Sequence, residues 1–219
     1  MKLVLYSGGY RSDNTAIDQE LLKLISKKTP KITYIPSSSY DYEEDYIDFC
    51  NQYKKFKINQ IINFPIDNPV DMVMEKYAFE SDVIHLSGGN TFYFLHHLRK
   101  RGYLRKLKDY IRNGGVITGL SAGGILMTPN INTASFPEFD RDDNALDIKN
   151  LNSLNIVNFE FFPHYINSKR YDNALRDYSK TNNRPIYACS DGAGIIVNGL
   201  MKSFYGKVFC FFAGQRAII

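Results

Sequence analysis

The chain has 219 residues, of which 44% are hydrophobic and 23% are charged, and its formal net charge is +4. This length suits a single domain over residues 1–219 with a sizeable core, and the composition excludes a disordered chain. The charge excess is too small to predict a nucleic-acid partner, and no apolar run is long enough to predict a signal peptide or a membrane-spanning helix.

Strand and helix patterns alternate along the first 120 residues. Five short apolar runs predict strands, namely KLVLY, KITYIP, QIINFP, DVIHLSGG and GVITGL. Helical spacing predicts helices over AIDQELLKLISKK, YEEDYIDFCNQYKKF, PVDMVMEKYAF, TFYFLHHLRKR and LRKLKDYIRNGG, the first capped by Asp13 or Asn14. Short apolar strands separated by helices predict the α/β class, with a mostly parallel sheet covered on both faces.

The pattern changes after about residue 150. Strands are predicted over LNIVNFEFFPHY and PIYACS, with a helix over RYDNALRDYSK between them. The segments GIIVNG and SFYGKVFCFFAG predict a closing hairpin region with turns at glycine. The long irregular segment NTASFPEFDRDDNALD is expected to be a functional loop, because long loops in compact domains often carry function.

Three cysteines, Cys50, Cys189 and Cys210, lie far apart in the chain. Their odd number and the lack of a CxxC or Cys/His cluster predict neither a disulfide framework nor a zinc site. We therefore expect reduced thiols in a cytoplasmic protein that needs no metal and no organic cofactor.

The segment GVITGLSAGG places a serine where a predicted strand gives way to a helix. Gly119 to Gly123 match the G-x-S-x-G pattern of a nucleophile elbow, in which small flanking residues let neighbouring segments approach. Ligands of open parallel sheets gather at the carboxyl ends of strands, which is where Ser121 would lie. The pattern also fits a tight turn with an unreactive serine, but the strand–turn–helix context favours the elbow.

A serine nucleophile needs a base, and the chain contains four histidines. His96 and His97 lie in the basic helical stretch HHLRKRGYLRKLK, which predicts a solvated surface. His85 lies within a strand and is expected to be a hydrogen-bonded core residue. His164 follows the apolar run VNFEFF and a proline, so we expect it to emerge at a strand end and to act as the base.

The sequence pattern alone does not decide which acidic residue would orient His164. One set of candidates lies on the loop between the serine and the histidine: Glu138, Asp140, Asp142, Asp143 and Asp147. Each of these is individually expected to be a solvated charge. Asp191 follows the strand PIYACS and precedes Gly192, so it also belongs at a strand end.

Backbone N–H groups that can bind an oxyanion are predicted at two turns. The N–H of Ala122 follows the serine, and the turn in HLSGGNTFYF offers that of Gly88 or Gly89. The same turn fits a helix cap by Asn90 or Thr91. Neither a Walker-type GxxxxGKS/T nor a GxGxxG pattern is present, which argues against a nucleotide phosphate cradle.

The segments LSGGNTFYF, GLSAGG and FFPHY, in this order and spacing, resemble the peptidase E family, which groups dipeptidase E with cyanophycinases. These motifs span residues 83–165, and YSGG near the N-terminus extends the likeness. The resemblance implies a flavodoxin-like three-layer sandwich related to class I glutamine amidotransferases. It also implies serine peptidase chemistry on short peptides, often with an aspartyl residue before the scissile bond.

By match to these motifs, the resemblance implies that Ser121 is the nucleophile and His164 the base. It also implies that the N–H groups of Gly89 and Ala122 line the oxyanion hole. His164 would take the proton from Ser121 during attack on the scissile carbonyl, and water would hydrolyse the acyl-enzyme.

The third member of the site differs within the family that the chain resembles. In one pattern an acid lies on the loop after the serine, where this chain has Phe136, which cannot serve. In the other pattern the acid follows the histidine, and the segment CSDGAG matches it with Asp191. We therefore predict Asp191 as the orienting acid, with Asp140 and Asp142 as alternatives.

A substrate that begins with aspartate needs a cation for its carboxylate. Arg11, Arg141, Lys169 and Arg170 lie in segments that can face the site, and Arg170 is the first choice. We also expect Asn90 to contact the substrate.

The expected partner is a short peptide substrate, with no nucleic acid and no membrane, and the protein is expected to be a monomer or a homodimer. Two other functions remain open. One is a non-catalytic small-molecule binder or sensor on the same fold, and the other is an amidohydrolase or esterase that uses the same serine. Labelling of Ser121 by a fluorophosphonate separates the binder from the hydrolases.

Overall fold

A computed structural model describes residues 1–10, 12–39 and 42–219 of the chain. Its strands are β1 (Lys2–Tyr6), β2 (Lys31–Ile35), β3 (Gln60–Asn63), β4 (Val83–Leu86), β5 (Val116–Leu120), β6 (Glu160–Phe162), β7 (Ile186–Cys189), β8 (Gly194–Asn198), β9 (Met201–Tyr205), β10 (Val208–Phe212) and β11 (Gln215–Ile218). Its helices are α1 (Thr15–Ile25), α2 (Tyr42–Lys54), α3 (Met72–Phe79), α4 (Thr91–Lys100), α5 (Tyr103–Arg112), α6 (Ala122–Ile125) and α7 (Lys169–Thr181). Each element predicted before residue 120 is present, with ends that differ by a few residues.

The central sheet has seven strands in the order β3-β2-β4-β5-β1-β8-β9. The first five run parallel, whereas β8 and β9 are antiparallel to their neighbours. Counted from β2, the parallel part follows the 2-1-3-4-5 order of flavodoxin-like sheets, with β1 in the last place. The structure confirms a mixed α/β fold around a mostly parallel sheet, while the implied relation to glutamine amidotransferases stays a prediction.

The strands β1, β2, β4, β5 and β8 of the central sheet are buried along nearly their whole length, so this part of the sheet is covered on both faces. On β1, Leu3 and Leu5 belong to the core cluster that also holds side chains of α4 and α5. Val4 and Tyr6 belong to the cluster formed with α1 and α2. This alternation follows from the period of two in a strand, and it makes the sheet the middle of three layers.

A second sheet, which the sequence did not predict, has the order β11-β10-β7-β6. The closing region is two hairpins instead of one, because β9 pairs with β8 in the central sheet whereas β10 pairs with β7 and β11. Gly206, between β9 and β10, has a φ of +73° but does not close a hairpin. Burial explains the separation, since β10 carries Val208 and Phe211 into a core while most of β9 is exposed.

The basic stretch that starts at His96 within α4 is more buried than predicted. The expectation that His97 is a surface residue is wrong, since it is 8% exposed, whereas His96 is partly exposed. The segment that follows the long loop packs against this helix, because Arg99 donates hydrogen bonds to the carbonyls of Asn150 and Asn152. Burial lowers the pKa of His97, which leaves its ring neutral near pH 7.

Candidate active site

Ser121 connects β5 to α6 with a φ of +49° and a ψ of −108°, a region that residues other than glycine rarely occupy. Its N–H donates to the carbonyl of Tyr6 at 2.9 Å. A Cβ on Gly119 would lie 2.4 Å from the carbonyl carbon of Gly123, and a Cβ on Gly123 would lie 2.1 Å from the carbonyl oxygen of Leu86. The close approach of backbone segments therefore requires both glycines, and the turn presents the Ser121 hydroxyl at the carboxyl end of β5.

Ser121, His164 and Asp191 form a continuous chain of hydrogen bonds. His164 Nε2 lies 2.8 Å from Ser121 Oγ, and His164 Nδ1 lies 2.8 Å from Asp191 Oδ1. The side chains of His164 and Asp191 are 47% and 54% exposed, so water and substrate can reach them. The three residues thus lie together in the geometry that a nucleophile, a base and an orienting acid require.

Ser7, at the end of β1, joins the ends of the two sheets beneath His164. Its buried hydroxyl donates to the carbonyl of Cys189 at 2.7 Å and accepts from the N–H of His164 at 2.8 Å. His164 has a φ of +54°, and this bond helps to hold that conformation. The sequence placed Ser7 only within the segment YSGG, because both of its partners lie far along the chain.

Gly8 lies directly against the His164–Asp191 pair. A Cβ at this position would be 2.3 Å from His164 Cε1 and 2.5 Å from Asp191 Oδ1. The carbonyl of Gly8 accepts from the Gly192 N–H at 3.0 Å, and Gly192 adopts the positive φ expected of a tight turn. Asn14 precedes α1 as predicted, but its amide donates to the Gly8 carbonyl and makes no cap bond. Gly8 therefore leaves room for the pair and fixes the turn that carries Asp191.

We expect Gly8→Ala to lower kcat by about 10²-fold or more, because the methyl group must displace the imidazole or the carboxylate by roughly 1 Å. Gly115→Ala is the matched control, since its Cβ would lie 2.3 Å from the Tyr110 ring at the opposite end of β5. Steady-state kinetics and thermal unfolding should show a lower Tm for both variants and a lower kcat only for Gly8→Ala. An unchanged kcat in Gly8→Ala would mean that the pair has room to move.

A cleft of about 440 Å³ opens beside Ser121 at the carboxyl ends of β1, β2, β4 and β5. Ser121 and His164 lie at one side of it, and α2 forms the facing wall. Its size is within the range of small-molecule sites, and its position is the one expected for ligands of open parallel sheets.

Backbone N–H groups beside Ser121 lack an acceptor. Within the described residues, the N–H groups of Ala122, Gly88 and Gly89 donate to no protein group. Gly89 has a φ of +123°, and a Cβ there would lie 2.0 Å from Ser37 Oγ, so this turn requires glycine. Unused donors next to a nucleophile are what an oxyanion hole needs.

The acids of the long loop hold that loop in place. Asp142 Oδ2 accepts from the N–H of Thr91 at 2.7 Å, and Asp140 Oδ2 accepts from the Tyr171 hydroxyl at 2.7 Å. The expectation of a solvated charge is wrong for Asp142, which is partly buried, and this burial raises the pKa of its carboxyl. Neither carboxylate is a hydrogen-bond partner of His164.

Asn90, expected to contact the substrate, is engaged within the fold. Its Oδ1 accepts from the N–H of Tyr93 at 2.9 Å and thereby caps α4. Its Nδ2 donates to the carbonyl of Asp143 at 2.7 Å. The side chain therefore joins the helix to the long loop and does not line the cleft.

Among the described residues, none of the cationic side chains predicted to bind a substrate carboxylate lines the cleft. Arg11 lies outside those residues, and Arg141, Lys169 and Arg170 do not line the cleft. The Arg170 guanidinium stacks 3.3 Å from the ring centre of Phe139, while Arg141 pairs with an acid on its own loop at 2.8 Å. These contacts anchor the long loop to α7 and to itself.

A buried carboxylate supports the floor of the cleft. Asp18 on α1 accepts hydrogen bonds from the Tyr6 hydroxyl at 2.9 Å, the Tyr53 hydroxyl at 3.3 Å and the Gln52 amide at 2.7 Å. Burial raises the pKa of Asp18 and those of both tyrosines. This network, which the sequence did not predict, ties α1 and α2 to the end of β1 and holds α2 in position as a wall.

Within the described part of the chain, no group of three or more His, Cys, Asp and Glu side chains is arranged to hold a metal ion. No helix in that part has both the length and the apolar character needed to cross a membrane. Cys50, Cys189 and Cys210 are unpaired.

Comparison with known proteins identifies relatives of the chain. The model of a family described as peptidase family S51 matches residues 3–203. An uncharacterized peptidase of Pasteurella multocida is 25% identical over 207 aligned positions, covering 81% of this chain and 98% of that protein. Peptidase E of Nostoc sp. is 26% identical over 156 positions, covering 68% of this chain and 58% of that protein. In fold, the chain is similar to a solved candidate peptidase E from Listeria monocytogenes EGD-e, with a TM-score of 0.70, 23% identity and coverage of 93% and 97% of the two chains.

Proposed function

The chain belongs to peptidase family S51 and is a serine-type peptidase, and we propose that it hydrolyses short peptides through Ser121, His164 and Asp191. The observation that supports this assignment is the path of two 2.8 Å hydrogen bonds from Ser121 Oγ through the imidazole to the carboxylate. An arrangement of this kind activates a hydroxyl that is otherwise a weak nucleophile.

In the proposed reaction, His164 Nε2 takes the proton of Ser121 Oγ while that oxygen attacks the carbonyl carbon of the scissile bond. The N–H groups of Gly89 and Ala122 stabilise the oxyanion that forms. The imidazolium gives its proton to the leaving amine, the C–N bond breaks, and an acyl-enzyme remains. Water, deprotonated by His164, then attacks the acyl-enzyme and releases the acid and free Ser121.

Asp191 has a separate part in the proposed reaction. By accepting a hydrogen bond from His164 Nδ1–H, it fixes the tautomer in which Nε2 is the base. It also stabilises the imidazolium after proton transfer. The reaction needs no redox chemistry, since every step moves a proton or exchanges one bond to carbon for another.

The proposed substrates are short peptides. A cleft of about 440 Å³ is of a size that suits a short peptide better than a macromolecular substrate. The resemblance implies an aspartyl residue before the scissile bond. Its carboxylate needs a cation, and none of the described cleft residues is Lys or Arg. We therefore propose short peptides as the substrate class, without a preference for an aspartyl residue.

We also propose that the protein acts in the cytoplasm on free peptides, without a nucleic-acid or membrane partner, as a monomer or a homodimer. Its three unpaired cysteines support a reducing compartment. The small net charge of +4 supports the absence of a polyanionic partner.

Two measurements test the proposed function. A fluorophosphonate should label the wild-type protein at Ser121 and leave Ser121→Ala unlabelled, which separates a hydrolase from a binder or sensor. A dipeptide library should be hydrolysed by the wild type alone, and more efficiently than p-nitrophenyl acetate, which separates a peptidase from an esterase. An unlabelled wild type that leaves every dipeptide intact would contradict the proposal.

A further inference from the structure

One face of α2 brings negative charge to the cleft. Asp45, Asp48, Phe49 and Gln52 line the cleft at the i, i+3, i+4 and i+7 spacing that places them on a single side of the helix. Since no Lys or Arg is among the described lining residues, the described cleft is acidic on this wall.

Aromatic rings line the cleft between this helix and the sheet. The ring of Phe49 lies 5.0 Å from that of Tyr34 and 4.4 Å from that of His85. The pKa of Tyr34 is raised by burial and also by the negative charge of Asp45. This carboxylate is therefore close enough to the aromatic rings to influence them electrostatically. Aromatic faces attract ammonium and guanidinium groups, and they also pack against the methylene stems of lysine and arginine.

His85 offers an unpartnered polar atom to the same cleft. The residue is 4% exposed and lines the cleft, and its Nδ1 shares a 2.7 Å hydrogen bond with Thr118 Oγ1. Within the described residues its Nε2 has no hydrogen-bond partner. Burial lowers the pKa of His85 to about 3, so the ring is neutral and brings no positive charge to a substrate carboxylate. Because His85 lines the cleft, its Nε2 is available to a ligand bound there.

We propose that this cleft holds the side chain of the residue that supplies the scissile carbonyl, and that it selects lysine or arginine there. The inference rests on the proposed function, because it takes Ser121 as the nucleophile at the rim of the cleft. The methylene stem packs along Tyr34 and Phe49, and the cationic group meets Asp45 and the aromatic faces. This selection requires the His85 tautomer with the proton on Nδ1, which donates to Thr118 Oγ1, so that Nε2 presents a lone pair that accepts from the same cation.

An aspartyl or glutamyl side chain is the least suitable occupant of this cleft. It would approach the carboxylate of Asp45 with a like charge, and the neutral ring of His85 cannot compensate. An apolar side chain of the same length would keep the stem contacts but leave the carboxylate and Nε2 without a partner. We therefore expect the cleft to select the substrate side chain by its charge and not by its length.

Pairs of substrates that differ in charge alone test this selection. Lys-Ala is compared with norleucine-Ala, which keeps the stem and lacks the ammonium, and Arg-Ala is compared with citrulline-Ala, which replaces the guanidinium by a neutral group. We expect kcat/KM to be about 10-fold higher for the cationic member of each pair. The ratio should fall in about 1 M salt, where the screening length is about 3 Å. Equal rates within the pairs, or fastest hydrolysis of Asp-Ala, would overturn the inference.

A pair of variants on α2 locates the source of the selection. Asp45→Asn should lower the Lys-Ala to norleucine-Ala ratio by about 2- to 5-fold, because an exposed carboxylate contributes modestly. Glu44→Gln is the matched control, since it removes a charge from the same turn of α2 at a residue that does not line the cleft. An unchanged ratio in Asp45→Asn would overturn the assignment of charge selection to this helix face.

Failure of this inference is distinguishable from failure of the proposed function. If Ser121 is labelled by a fluorophosphonate and Ala-Ala is hydrolysed, but lysine has no advantage over norleucine, only the cationic selection is wrong. If no dipeptide is hydrolysed and Ser121 stays unlabelled, the proposed function itself is contradicted.

Discussion

Ser121→Ala and His164→Ala are each expected to lower kcat/KM for dipeptides by roughly 10⁴- to 10⁶-fold, because the hydroxyl is a nucleophile only while the imidazole takes its proton. The two side chains lie 2.8 Å apart and act on the same proton. The double variant should therefore be little slower than either single variant, since removing one member already disables the other. Steady-state kinetics on purified proteins measure all three rates.

The expected loss is specific to the reaction and not to folding. The His164 side chain is about half exposed, and Ser121→Ala keeps a side chain of similar size at the strained turn, so the Tm of each variant should stay close to that of the wild type. His96→Ala is the control for loss of an imidazole, since His96 lies on α4 away from the cleft. A near wild-type rate in His164→Ala would exclude this residue as the base.

The central sheet was predictable because two local signals agreed. The apolar runs were bounded by glycines or prolines, and the segments between them had helical spacing. Parallel pairing follows from that alternation, since strands joined by helical crossovers return in the same direction.

The second sheet was not predictable, because its strands carry no local signal of their partner. β6 is three residues long, and it pairs with β7 across the whole of α7. The adjacent β9 and β10 look like one hairpin in sequence, and only the burial of Phe209 and Phe211 beneath α7 assigns them to different sheets. The sheet that such a strand joins depends on tertiary packing.

The residues proposed for catalysis were reachable from sequence because each follows a strand, and strand ends meet at one side of an α/β fold. Residues such as Ser7 and Gly8 were not, because their contacts with His164 join positions more than 150 residues apart. Asn90 and Arg170, predicted to contact the substrate, do not line the cleft. Both lie near the site in sequence, but a helix cap and a ring contact within the long loop engage them instead.

Asp191→Asn is expected to lower kcat by roughly 10²- to 10⁴-fold with little change in Tm. The carboxylate lies 2.8 Å from His164 Nδ1 and is more than half exposed, so its main contact is with the imidazole and not with the core. An amide in its place can donate to Nδ1, which favours the tautomer with the proton on Nε2, where it blocks the base. Kinetics and thermal unfolding of the purified variant separate the effect on rate from the effect on stability.

Asp142→Asn and Asp140→Asn test whether a loop acid performs this role instead. Asp142 accepts from the Thr91 N–H at the start of α4, and asparagine can still accept that bond, so we expect a loss of about 1 kcal/mol or less in the free energy of unfolding and nearly unchanged kcat. Asp140 contacts the Tyr171 hydroxyl on α7, and its loss should loosen the loop without slowing the reaction. A large fall in kcat for Asp142→Asn, together with a near wild-type rate for Asp191→Asn, would assign the orienting carboxylate to the loop. The geometry predicts the reverse, because Asp191 is the acid whose oxygen lies within hydrogen-bond distance of the imidazole.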